Sequence, residues 1–178
     1  ILLSNNSTYT RNLTLGNYTY NNVVIGGTSS TSTTTFNNGA TFNTISSTKT
    51  VAHTIQFGAS STYTFSNWNV NGSAGNIVTL TSTTNANHTL AKSGGGTVTA
   101  SYMDISYSTA TPANTWKTTF SVNSGNNSGW SFILNAMRLY VTGNLLLNSG
   151  ITFDEITKST MQLSGTNLYS SQFDEVTK

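Results

Sequence analysis

The chain has 178 residues, a formal net charge of +2 and only 7% charged residues, where a soluble globular protein usually carries about 25%. The few basic residues form no cluster, which argues against nucleic-acid binding, and the absence of cysteine excludes disulfides and thiolate metal sites. No apolar run is long enough to span a membrane, and the start at Ile1 predicts a mature or partial chain.

Aromatic residues make up 11% of the sequence, so the chain does not have the composition of a disordered protein. Ser, Thr, Asn and Gly take the place of charges, as in Gly27–Thr35, which is almost wholly small and hydroxylated. This composition predicts a β-rich protein of a virion or another extracellular surface.

Strand candidates follow one another along the chain, separated by Gly- and Asn-rich turns such as Asn71-Gly72 and Gly94–Gly96. In chain order they are Tyr18–Ile25, Thr41–Ile45, Val51–Phe57, Thr62–Val70, Asn76–Thr81, His88–Ala91, Gly96–Tyr107 and Trp130–Leu134. Many alternate an apolar residue with Thr, Ser or Asn, which predicts one buried and one exposed face. No segment has the periodicity of a helix.

Two all-β architectures suit such strands. One is a β-solenoid, similar to a right-handed β-helix, over about residues 10–110, and the other is a β-sandwich or jelly roll. The first predicted domain covers residues 1–135. The second covers residues 136–178 and is predicted to be a short fibre-like β region for oligomerisation.

Candidate catalytic groups are few. Glycoside hydrolysis needs two carboxyl groups about 5–10 Å apart, and the first domain offers only Asp104. The pairs Asp154-Glu155 and Asp174-Glu175 are adjacent in sequence, so in a strand they point to opposite faces. His53 is predicted to be a residue on a strand face, and neither it nor His88 lies in a metal-binding or nucleophile motif. The sequence therefore predicts no enzyme activity and no cofactor.

Four aromatic residues are candidates for stacking on sugars: Trp68, Tyr102, Trp116 and Trp130. The alternative is packing inside the domain or at the end of a β-stack, and Trp116 and Trp130 flank an Asn-rich turn at Asn123–Ser128 that fits such packing.

The segment Gly75–Phe132 resembles a module found in large surface and virion proteins of bacteria and phages. The matching positions are Gly75, Asn76, Tyr102, Asp104, Ile105, Trp116, Gly125, Asn126, Asn127, Gly129, Trp130 and Phe132. In those proteins the module caps right-handed β-helix regions, and it carries no known catalytic residue.

The last part of the chain resembles phage fibre proteins. Met137–Asn148 (MRLYVTGNLLLN) is similar to a strand pair of phage tail fibres, and Ile151–Lys158 (ITFDEITK) is echoed by Gln172–Lys178 (QFDEVTK). Such echoes resemble short repeats in fibre and appendage proteins of marine phages. Apolar residues are dense here, so we expect this region to be the assembly element.

These observations predict a non-enzymatic structural protein of a phage-like virion, such as a tail or head fibre, appendage or decoration protein. The expected partners are further copies of the chain, as a homotrimer, other virion proteins and a host-surface glycan, with no nucleic acid and no membrane span. The alternatives are a carbohydrate- or receptor-binding module and, third, a bacterial surface adhesin or filament subunit.

Overall fold

The structure, a computed structural model, describes residues 1–4, 6 and 8–133. Every helix or strand element within them is a strand, as predicted. Sheet A contains, in spatial order, β1 (Leu2–Ser4), β3 (Thr19–Gly26), β5 (Ala40–Ser47), β7 (Thr62–Asn69), β9 (His88–Lys92) and β12 (Ser108–Thr111). Sheet B contains β2 (Thr10–Thr14), β4 (Thr33–Asn37), β6 (His53–Phe57), β8 (Val78–Ser82), β11 (Met103–Ile105) and β14 (Val122–Asn123). Sheet C contains β10 (Val98–Ser101), β13 (Trp116–Thr119) and β15 (Trp130–Ile133).

Strands that follow one another in the chain lie in different sheets, and each strand inside a sheet pairs in parallel with strands of the coils before and after it. This arrangement is a β-solenoid of about five turns. It confirms the solenoid prediction, and the β-sandwich alternative is wrong because a sandwich pairs its strands antiparallel. The coils also extend beyond residues 10–110, since β1 and β15 are both part of the stack.

The predicted strands recur with ends shifted by one or two residues, except for Gly96–Tyr107, which splits into β10 and β11 at Tyr102. Tyr102 has a φ of 52° and forms a corner there. Strand β4 was missed because it lies partly within the Thr-rich run, where few apolar residues show an alternation. Its Thr34 nevertheless points inward beside buried Phe36.

The core is built from rows of like side chains stacked from coil to coil. Tyr20, Phe42 and Phe65 are register partners, and their rings stack with centroids 5.7 and 5.1 Å apart. Phe36 and Phe57 stack in the same way at 5.3 Å. Burial of each such ring stabilises the fold by about 1.5–3 kcal/mol, so these aromatic rows supply a substantial part of the stability of the core.

The longest strands of sheet A bend in the middle. Between buried Phe42 and buried Ile45, the two consecutive residues Asn43 and Thr44 both lie on the outer side. The same pattern places Trp68 inside in β7, although strict alternation from Phe65 would place it outside. Each bend is thus repeated at the same register in the next coil.

Residues 136–178, with the strand pair at Met137–Asn148 and the FDE echo, lie outside the described residues, as does Leu134. Within the described residues there is no helix of the length and apolar character needed to cross a membrane.

Candidate functional site

The three tryptophans form a ladder rather than a surface platform. Trp116 pairs in register with Trp130, and its ring also contacts that of Trp68, with centroids 5.2 and 5.4 Å away respectively. Trp116 is fully buried, Trp68 is nearly so, and Trp130 is half-buried. Each indole N–H donates to a protein oxygen: Trp68 to Val70 O, Trp116 to Thr111 O and Trp130 to Ser108 Oγ. The buried rings of Trp68 and Trp116 therefore offer no face to a sugar in this fold.

Tyr102 occupies a corner between sheets B and C. Its ring stacks on Phe120, the corner residue of the next coil, with centroids 4.9 Å apart and planes 7° apart. Both residues have a left-handed backbone, with φ of 52° and 50°, a conformation that is rare for bulky side chains. The stacked pair leaves the outer side of the corner aromatic, and glycan contact by Tyr102 stays a prediction.

The Asn-rich turn between β14 and β15 fastens the last described coil to the one before. The Asn127 amide donates to Ile105 O at 2.6 Å, and its Oδ1 accepts the Ser108 N–H at 3.0 Å. Gly129 has a φ of +74°, and a Cβ there would overlap the Ala110 carbonyl oxygen. Asn127 and Gly129, two of the residues that carry the resemblance to the surface-protein module, thus serve to close a coil.

A polar cluster lies at the corner between β5 and β6. His53 Nδ1 is 2.8 Å from Val51 O, and its Nε2 is 3.0 Å from Ser47 Oγ. Because a carbonyl only accepts hydrogen bonds, Nδ1 carries the proton and Nε2 accepts from the serine hydroxyl. Burial lowers the pKa of His53, and the nearby Lys49 charge adds to this lowering, which the bond to Val51 partly opposes.

Lys49 extends this cluster inward. Its Nζ donates to Ser32 Oγ at 2.8 Å, and both residues are buried. Burial lowers the pKa of Lys49. A serine hydrogen-bonded to a neutral histidine is the pairing that activates a nucleophile, but Ser47 is the register partner of buried Ile25 and points to the interior. The cluster therefore satisfies polar groups inside a corner, and His53, the first residue of β6, lies on the inner face of that strand with Ile55 and Phe57.

His88 is the second buried histidine. It is fully buried beside Phe57, with ring centroids 5.2 Å apart, and neither ring nitrogen has a hydrogen-bond partner among the described residues. Burial lowers the pKa of His88 to about 3, so the ring is neutral at physiological pH. Its role here is that of a core aromatic residue.

Asp104 lies on the outer side of sheet B, where it accepts a hydrogen bond from Ser124. Within residues 1–4, 6 and 8–133, no group of three or more His, Cys, Asp or Glu side chains could hold a metal ion.

The outer side of sheet A is a regular array of hydroxyl and amide groups. Its register rows run across adjacent coils: Thr62, Thr89 and Thr109; Thr19, Thr41, Thr64, Ala91 and Thr111; and Asn22, Thr44 and Asn67. Strand spacing places neighbours in a row about 4.8 Å apart, and alternate residues along a strand about 6.6 Å apart. Sequence reasoning did not find this array, because its members are far apart in the chain.

Charge distinguishes this surface from the other two. Sheet B carries Asp104 and exposed Arg11, and sheet C carries exposed Lys117. The charged residue of sheet A within the described strands is Lys92, which is the register partner of buried Phe65 and donates to Ser93 O. The outer side of sheet A, which we call the threonine face, is therefore uncharged in the described strands.

Comparisons with known proteins add no family: no family model, no curated protein and no solved structure matches this chain. The fold itself therefore defines the class of protein, a parallel β-solenoid.

Proposed function

We propose that this chain is a non-enzymatic structural protein of a phage-like virion, built into a fibre or appendage that self-associates, as a homotrimer in its simplest form. The proposal is supported by the solenoid fold, by a composition nearly free of charge and by the resemblances of Gly75–Phe132 and the C-terminal region. It places the protein on the virion surface, in contact with other virion proteins.

The proposal rests mainly on the positions of the exposed large hydrophobic side chains in the described part of the chain. They lie only on its first and last coils: Ile1, Leu2, Tyr9 and Tyr18 at one end, and Phe120, Val122 and Ile133 at the other. Among the described strands, the outermost members of the sheets pair with another strand on one side only, and such edges pair readily with other polypeptide chains. The outer surfaces of the sheets between the two ends are polar, so the solenoid is suited to associate with other proteins through its ends.

The test is the mass and symmetry of the particle formed by the whole chain. We expect light scattering to give a discrete oligomer and electron microscopy to show an elongated particle with three-fold symmetry. A monomer at all concentrations would contradict self-association. Antibodies to the chain should decorate virions at an appendage, and labelling confined to a bacterial cell surface would favour the adhesin or filament alternative.

A further inference from the structure

We propose that the threonine face binds a neutral, extended polysaccharide. This inference goes beyond a structural role, and it places the glycan contact on hydroxyl and amide groups instead of the tryptophans named as candidates above. It depends on the geometry of sheet A and not on the oligomeric state.

The hydroxyl groups of the threonine face repeat along the solenoid axis. Thr19, Thr41 and Thr64 are consecutive register partners, so a ligand lying along the solenoid axis meets the same hydroxyl group at three successive coils. The coil spacing of about 4.8 Å is close to the length of one pyranose ring in an extended chain. Repeated weak contacts along one polymer then add up through avidity.

The exposed asparagine amides of the threonine face keep free hydrogen-bonding capacity. Asn43 Nδ2 donates to Asn21 Oδ1 at 3.1 Å, so the two amides are already aligned as a ladder. An amide has two N–H groups and an acceptor oxygen, so each of these exposed side chains keeps capacity for the hydroxyl groups of a sugar. Stacking on the neighbouring coil holds them in place and lowers the entropy lost on binding.

The lack of charge on the threonine face restricts the kind of polymer that it can bind. Anionic polymers such as nucleic acids or uronate-containing polysaccharides are held by Lys and Arg, and the threonine face presents neither in its described strands. A neutral polymer brings no charged groups that would lack a partner on this uncharged surface. The complementary occupant is therefore a neutral glycan.

The test compares two double variants that remove hydroxyl groups without changing side-chain shape. Thr41→Val with Thr64→Val alters register partners on the threonine face, and Thr54→Val with Thr79→Val alters register partners on the outer side of sheet B. All four threonines are half-buried in mid-stack strands, so the second pair is a matched control. Circular dichroism and thermal unfolding of the whole chain establish that both variants fold.

Binding is measured by affinity electrophoresis and biolayer interferometry with dextran, mannan and xylan as neutral probes, and with alginate and polygalacturonate as anionic ones. We expect at least one neutral probe to bind. We expect the dissociation constant to rise about tenfold in the Thr41/Thr64 variant, as for the loss of two neutral hydrogen bonds, and to stay unchanged in the control.

Three results would overturn the inference: no binding of any neutral probe, preferential binding of the anionic probes, or equal weakening in both variants. A regular hydroxyl array can also order water. The protein could then adsorb to ice, bind no polysaccharide, and lose the adsorption only in the Thr41/Thr64 variant. That result would show that the threonine face binds ice, and it would contradict a glycan ligand.

Discussion

Trp116 and Trp130 are register partners in adjacent parallel strands, and their rings meet edge to face with centroids 5.2 Å apart. The pair extends a ladder that begins at Trp68 and closes the last described coil onto the core. Because each indole N–H also reaches an oxygen of the protein, both rings are fixed by packing and by hydrogen bonding.

Replacement of Trp116 by Ala should lower the free energy of unfolding by about 3–5 kcal/mol, the usual loss for a buried large aromatic side chain. Trp130→Ala should cost less, because Trp130 is only half-buried. Urea unfolding followed by circular dichroism measures both. Tyr18→Ala, at a side chain that is 70% exposed, is the control, and an equal loss in the three variants would contradict the role of the ladder.

The stability of the fold should fall as the pH is lowered from about 6.5 to about 3. The unfolded chain binds a proton at His88 near its ordinary pKa of 6.5, whereas the folded chain resists protonation down to about 3. The unfolded state is therefore favoured progressively across this range, by roughly 4–5 kcal/mol in total, and no effect of His88 is expected above pH 7.

The measurement is the free energy of unfolding as a function of pH for the natural chain and for His88→Phe, which keeps an aromatic ring beside Phe57. The variant should lose most of the acid dependence. His53→Phe serves for comparison, because it removes a histidine that has hydrogen-bond partners. A pH profile unchanged by His88→Phe would show that His88 does not cause the acid sensitivity.

Gly129→Ala should destabilise the protein more than Gly95→Ala. The two glycines have similar left-handed φ angles, +74° and +71°, so both substitutions carry the conformational cost of about 1–2 kcal/mol. A Cβ at Gly129 also overlaps the Ala110 carbonyl oxygen, whereas a Cβ at Gly95 meets open space. Thermal unfolding of both variants gives the difference, and equal melting temperatures would mean that the turn relaxes without penalty.

Ser47→Ala should cost about 1–3 kcal/mol, because it leaves the buried Nε2 of His53 without its hydrogen-bond donor and removes the hydroxyl oxygen that accepts the Lys49 N–H. Ser46→Ala is the matched control, since the hydroxyl of Ser46 lies on the outer side and makes only a 3.5 Å contact with Val23 O. Chemical denaturation measures both. A loss as large in Ser46→Ala would show that the His53 contact is not what matters.

The sequence by itself determined the all-β class and most strand positions, because period-two alternation in segments such as Thr62–Asn69 is a local property of a pleated strand. The turns were also predictable, since Gly and Asn supply the left-handed backbone at corners such as Asn38.

Tertiary structure alone decided the register. Trp116 pairs with Trp130, which is close to it in sequence, whereas Phe65 pairs with Lys92, which is about twice as far away. The coils therefore differ in length, and the sequence shows no fixed repeat. The buried position of Trp68 depends on a strand bend, which single-strand alternation does not encode. For the same reason the threonine face could not be foreseen, because its rows arise only when coils stack and bring together residues that are distant in the sequence.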